Sequence, residues 1–160
     1  MAGVCAIILT ANRRPLLERA LRSLAGQSWP PEEAVLVDNG SQDDTAEFLG
    51  SCRFSFPVRV VKGERGTYAE ARNAGIQAAR EEFLLFLDDD CEADPPLIER
   101  LVRAMEENGW VACGGAVLPA EELEAPDGYT PALNWAVGLM DEGIFGPLAG
   151  RASLPSTSCL

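Results

Sequence analysis

The chain has no histidine, a single lysine (Lys62) and no Cys-x-x-Cys pair. With no imidazole, nothing in it argues for zinc. Its five cysteines are an odd set, which fits free thiols in a reducing compartment and not a disulfide framework. Positive charge is scarce: 13 basic against 25 acidic residues give a net charge of −12, which excludes a nucleic-acid surface and leaves no basic patch for anionic lipid. No apolar run approaches the length of a membrane span. The N-terminal run Val4 to Leu9 is too short for a signal sequence and lacks a basic lead. A cytoplasmic location is expected, with the periphery of the inner membrane face included. Neither G-x-G-x-x-G nor G-x-x-x-x-G-K occurs, so no phosphate-binding fingerprint is present.

What the chain does contain is organised around Phe83-Leu84-Leu85-Phe86-Leu87-Asp88-Asp89-Asp90-Cys91. Five large apolar residues without a 3.6 period predict a strand buried on both faces, in the middle of a parallel sheet. Three carboxylates follow at once. Like charges crowded at a buried strand end repel and are costly to desolvate, so a cation or many hydrogen-bond donors must compensate them. A divalent metal is the simplest compensator, and hard oxygen ligands suit Mn2+ or Mg2+. The competing reading is an Asp-rich turn that caps the next helix. Asp94 before Pro95-Pro96 already fills that role, which leaves the triplet spare. Cys91 reads as packing, since neighbouring carboxylates raise a thiol pKa.

At 160 residues and 47% hydrophobic, the chain can bury roughly 68–70% of its unfolded surface as one domain. Val4 to Leu9 predicts a first strand with Thr10-Ala11-Asn12 as its exit. A helix from Pro15, with Leu16, Leu17, Ala20, Leu21 and Leu24 at helical spacing, stops at Gly26. Ala34 to Val37 predicts a second strand ending at Asp38. Ser41 with Asp44 resembles a capping box for a short helix from about Asp43 to Cys52. Val58 to Val61 predicts a third strand, and an Ala-rich helix from about Thr67 to Arg80 carries small residues Ala71, Ala74, Gly75 and Ala78 that let it lie close to the sheet. Leu97, Ile98, Leu101, Val102 and Met105 mark an amphipathic helix closed by Asn108-Gly109. Trp110 to Gly115 predicts a fifth strand. After Leu118, five prolines break up any long element, with one short helix expected around Leu133 to Met140.

This alternation predicts an α/β doubly wound sandwich with a mostly parallel sheet. Ligands then bind beyond the carboxyl ends of the strands, where Thr10, Ala11, Asn12, Asp38 and Asp88 to Asp90 converge. Asp38 reads equally as a turn cap and as a carboxylate that accepts a base N–H. Asn12 reads first as a helix cap. Arg72, near the start of its helix, reads as a solvated side chain or as one facing the crevice.

Taken together, Ile7 to Asn12, Val35 to Thr45, Ala71 to Gly75 and Phe86 to Asp90 resemble, in order and spacing, the family 2 glycosyltransferases of GT-A fold, a Rossmann-like three-layer sandwich. The resemblance implies transfer of a sugar from a nucleotide-diphosphate donor, commonly with inversion and a divalent metal. It places Thr10, Ala11 and Asn12 beside the nucleobase, Asp38 on the base and Arg72 next to it. Asp88 falls on the ribose or a metal-bound water, Asp90 on the metal as last residue of the D-x-D, and Asp89 and Asp90 can exchange parts. Residues 1–118 form the nucleotide-sugar-binding core and 119–160 lead toward an acceptor region. The catalytic base is expected beyond Leu160, so the chain looks truncated, and neither Asp141 nor Glu142 is promoted to that role. The acceptor is a sugar or a lipid-linked sugar of unknown identity, and self-association is open. A non-catalytic nucleotide-sugar-binding domain is the alternative. A phosphotransfer domain is weaker, because it needs a lysine downstream of the aspartates and Lys62 lies upstream.

Overall fold

The computed structural model describes residues 3–63 and 65–117. Along them run β1 (Val4–Thr10), α1 (Arg14–Ala25), β2 (Glu33–Asp38), α2 (Thr45–Ser51), β3 (Val58–Lys62), α3 (Tyr68–Ala78), β4 (Phe83–Phe86) and α4 (Leu97–Asn108). The strands pair in parallel in the order β3-β2-β1-β4, each parallel step being bridged by a helical crossover. The chain steps outward from β1 to β3 and then returns to the other side of β1. Strand order therefore switches between β1 and β4, which is where open α/β sheets hold their ligands.

Alternating side chains divide the core into two layers. Val4, Ala6 and Ile8 of β1 meet α1 and α4 on one face, and Cys5 and Ile7 meet Ala71 of α3 on the other. The small residues of α3 do what their size predicts. A Cβ on Gly75 would lie 2.6 Å from Ile7 Cγ2 and 3.3 Å from Val37 Cγ2, so glycine sets how close this helix approaches the sheet.

Four expectations are corrected. Within the described residues the strand before the acidic triplet lies at the end of the sheet and not in its middle: there β4 pairs only with β1, and Phe83, Leu84 and Phe86 are half-buried. The central pair is β1 and β2, and β2 is buried along its whole length. Residues 110–115 form no strand among the described residues. Gly109 turns left-handed with φ 64°, Trp110 N–H returns to Met105 O (3.1 Å), and Cys113 folds back on Leu101 O (3.6 Å), leaving Val111 exposed. Ser41 does not cap α2, whose N-cap residue is Asp44 without a side-chain cap, and the Ser41 hydroxyl accepts the Asn12 N–H instead (2.9 Å). Nor does the Asp94 carboxylate cap α4. The buried Gln27 side chain, from the α1–β2 connection, accepts the Ile98 N–H (3.1 Å) and donates to Ala93 O (3.2 Å) and Asp94 O (2.7 Å). The expected helix around Leu133 to Met140 and the rest of 118–160 lie outside the described residues.

In isolation, Gly75→Ala favours a helix by about 1 kcal/mol. Against Ile7 the added methyl overpacks the α3–sheet interface, at about 1–3 kcal/mol. Net destabilisation is expected, read as a lower urea midpoint at unchanged slope. A raised midpoint would show that α3 can back away from the sheet.

Candidate functional site

Three strand exits form the rim of a crevice. Thr10, the last residue of β1, stands in register with Asp38, the last of β2, and Leu87 N–H still reaches Ile7 O (3.2 Å), which sets Asp88 on the opposite flank of β1. Asp38 and Asp88 are thus two strand spacings apart, roughly 10 Å. Asp38 is buried and its Oδ1 accepts the Ser41 N–H (2.9 Å), so the turn-capping role is real. The Thr10 hydroxyl, at the end of β1, is buried without a hydrogen-bond partner among the described residues.

Asn12 does not cap α1, whose N-cap residue is Arg13 without a side-chain cap. It holds a left-handed conformation (φ 56°) that asparagine tolerates, and from there its Oδ1 accepts the N–H groups of Gln42 (2.6 Å) and Asp43 (3.3 Å) while its own N–H donates to Ser41 Oγ (2.9 Å). Ala11 lies exposed in this bend. Asn39 exchanges two hydrogen bonds with Gly66, both 3.1 Å, and ties the β2 exit to the β3–α3 loop. Gly63 and Gly66 therefore belong to a laced loop system, and Gly40 holds a left-handed φ of 82° at a place where a Cβ would also lie 2.5 Å from Arg65 Cγ.

On the far side of β1 the acidic triplet is met by cations from both neighbours. Arg13 Nη1 bridges Asp89 Oδ1 (3.1 Å) and Asp90 Oδ2 (3.0 Å), crossing the switch point from the β1 exit to the β4 exit. Asp89 is buried, and Asp90 is half-exposed. Asp88 Oδ1 accepts from Tyr68 Oη (3.2 Å) and faces Arg72 Nη2 at 3.7 Å. The Arg72 guanidinium also lies over the rings of Tyr68 (4.8 Å) and Phe86 (5.7 Å). Arg72 is thereby placed on the Asp88 flank. Burial holds the Asp88 carboxyl above its usual range, opposed by the Tyr68 hydrogen bond and Arg72 and reinforced by Asp90 and Asp89. Burial, then Asp90, pushes the Cys91 thiol up to about 11, so it stays protonated and unreactive near neutrality, as a packing role requires.

Arg13 and Tyr68 were not singled out from the sequence. Tyr68 carries a legible signal, because it precedes Arg72 by four residues and shares its helix face. Arg13 carries a weaker one: it directly follows Asn12 at a strand exit that must face the triplet.

Among the described residues no three acidic or sulfur side chains surround a common point. Mg2+ and Mn2+ need no such cage in phosphate sites, where one or two carboxylates, water and phosphate oxygens suffice. The half-exposed Asp90, with Asp88 two residues away and an arginine nitrogen already seated against the triplet, fits a cation of that kind.

An acidic strand end at the switch point of an α/β sheet is where such folds hold their ligands, and the chain matches the model of Glycosyl transferase family 2 over residues 5–134. It belongs to that family. It is 32% identical to the glycosyltransferase AglE of Haloferax volcanii over 134 residues, which are 81% of this chain and 42% of AglE. With the validoxylamine A glucosyltransferase of Streptomyces hygroscopicus it shares 36% identity over 102 residues, covering 61% of this chain and 22% of that protein. The chain thus spans less than half the length of these relatives. The fold is shared with S. aureus TarS 1-349 in complex with UDP-GlcNAc (TM-score 0.68, 24% identity, 78% of this chain and 37% of that one). It is shared also with the mannosyltransferase PcManGT of Pyrobaculum calidifontis in complex with GDP-Man and Mn2+ (TM-score 0.65, 24% identity, 74% and 36%). The expected GT-A frame is therefore the observed one.

A raised folded-state pKa means that the folded chain binds the Asp88 proton more tightly than the unfolded chain does. The stability this brings is fully present below the unfolded value of 3.8 and is lost as pH rises through the folded value. Asp88→Asn removes that dependence. With chelator present, the variant is expected to gain stability relative to wild type between pH 3.5 and 7 in urea titrations, the outer limits being chosen to span about the carboxyl range. A gap independent of pH would show that Asp88 ionises in the fold as it does in water.

Proposed function

We propose that the crevice over β1, β2 and β4 binds a nucleotide diphospho-sugar and that the chain serves in transfer of that sugar to an acceptor hydroxyl. The observation that carries this reading is the placement of Asp38 and of Asp88 to Asp90 on opposite flanks of the β1 exit, at the switch point of the sheet. Thr10, Ala11 and Asn12 border the base, and the buried Thr10 hydroxyl offers it a hydrogen bond. Asp38 accepts a base N–H beside its turn, and Arg72, already against Asp88, lies at the nucleoside end. Asp88 and Asp89 meet the ribose and the diphosphate environment. Asp90, with Asp88, would hold Mn2+ or Mg2+, which supplies charge neutralisation to the departing diphosphate.

In an inverting transfer the acceptor oxygen bonds to the anomeric carbon as the bond from that carbon to the diphosphate oxygen breaks, and the electron pair leaves with the nucleotide. The acceptor proton passes to a base. No carboxylate among the described residues is assigned to that step. We take 1–118 as the donor-binding core and 119–160 as the lead into the acceptor side. Cys5, Cys52, Cys91 and Cys113 are free thiols, which supports a reducing, cytoplasmic setting. No helix among the described residues is long and apolar enough to cross a membrane.

Isothermal titration with UDP-, GDP- and dTDP-sugars, each with and without Mn2+, tests the reading. At least one donor should bind, and Mn2+ should tighten it by about tenfold or more, since a cation held by Asp90 and Asp88 would offset the charge of the diphosphate. Asp90→Asn should lose that metal dependence and keep the metal-free affinity. Failure of every donor to bind would overturn the proposal. Binding without transfer or donor hydrolysis would favour the non-catalytic alternative.

A further inference from the structure

Arg13 has a place that donor binding alone does not require. It leaves the chain at the β1 exit, before the first full turn of α1, and spans the switch point so that a single nitrogen touches two carboxylates of consecutive residues. The two contacts differ in kind. Asp89 is buried, so its charge needs a permanent partner, and breaking a buried pair on one side leaves an uncompensated charge. Asp90 is half-exposed and can exchange its partner with solvent or with another cation at little cost.

We infer that Arg13 is a resident counter-cation which holds Asp89 permanently and lends itself to Asp90 until the divalent metal takes that carboxylate. Arg13 is a positioning residue that competes with the metal for one oxygen of Asp90. It keeps the triplet arranged when no metal is bound, and it makes metal uptake weak until a diphosphate adds its own oxygens. This rests on the assignment of Asp90 to the metal made above.

Mn2+ titration of the full 160-residue chain without nucleotide, followed by the electron paramagnetic resonance of free Mn2+, reads the competition directly. Arg13→Gln is expected to bind Mn2+ about three- to fivefold more tightly than wild type, the size of one partly exposed charge pair. Arg13→Lys keeps the charge and should stay within about twofold of wild type. Equal or weaker Mn2+ binding by Arg13→Gln would overturn the inference while leaving the donor-site reading intact, provided Asp90→Asn still abolishes metal binding. If Asp90→Asn binds Mn2+ as wild type does, the site reading fails and this inference with it. Should Arg13→Gln not fold, the wild-type Arg13 side-chain nitrogen resonances decide the matter. Added Mg2+ should shift them in wild type and leave them in place in Asp90→Asn; no shift in wild type would overturn the inference.

Discussion

Three adjacent carboxylates at the end of a half-buried strand can persist only if positive charge reaches them, and the path of the chain provides it from two directions. Arg13 comes from the exit of β1, which lies beside β4 in the sheet although it is the strand most distant from it in sequence. Arg72 comes from α3, the crossover that delivers the chain into β4. The parallel sheet thus brings the compensating groups together as a matter of topology. Asp88 shows that the compensation is incomplete, since burial still outweighs Tyr68 and Arg72 in setting its protonation. Perturbed carboxylates of this kind gather at functional sites, which is why the triplet is the candidate here.

The rim is built without regular structure and yet is closely tied. Asn12 joins the β1 exit to the β2 turn, Asn39 joins that turn to the β3–α3 loop, and Thr67 and Glu70 close a capping box where the loop becomes α3. Each link satisfies backbone groups that loops would otherwise leave to water. The consequence is a crevice wall whose shape is set by side-chain hydrogen bonds between loops and not by burial beneath them.

Much of the frame could be read from residues alone. β1 and β2 stood out because strands buried on both faces are continuously apolar, and α1 and α4 because their apolar stripes are wide. The close approach of α3 was legible in Gly75 and Ala71. The convergence of Thr10, Asp38 and the triplet followed from the rule for parallel sheets. The misjudged places share a cause: a local motif suggested a partner, and a distant residue supplied the better one. Ser41 had the spacing of a cap, but its hydroxyl was taken by Asn12. Asp94 had the position of a cap, but Gln27 reached α4 from 71 residues away. Phe83 to Leu87 had the composition of a central strand, but among the described residues β4 is the last strand, and two half-covered aromatics there read the same as two in the middle. Arg13 escaped notice because no local pattern distinguishes an arginine that spans a switch point from one that faces water.

The bonds from Gln27 reach beyond the start of α4. Together with Ser23 Oγ, which accepts the Ala93 N–H (2.9 Å), and the Arg19–Glu92 ion pair, they fasten the chain shortly after the triplet, just as the β1–β4 ladder fastens it shortly before. The segment between is a short span moored at both banks. Anchored so closely on either side, the backbone of that span has little room to rearrange, and any change of shape in it falls first to its side-chain torsions.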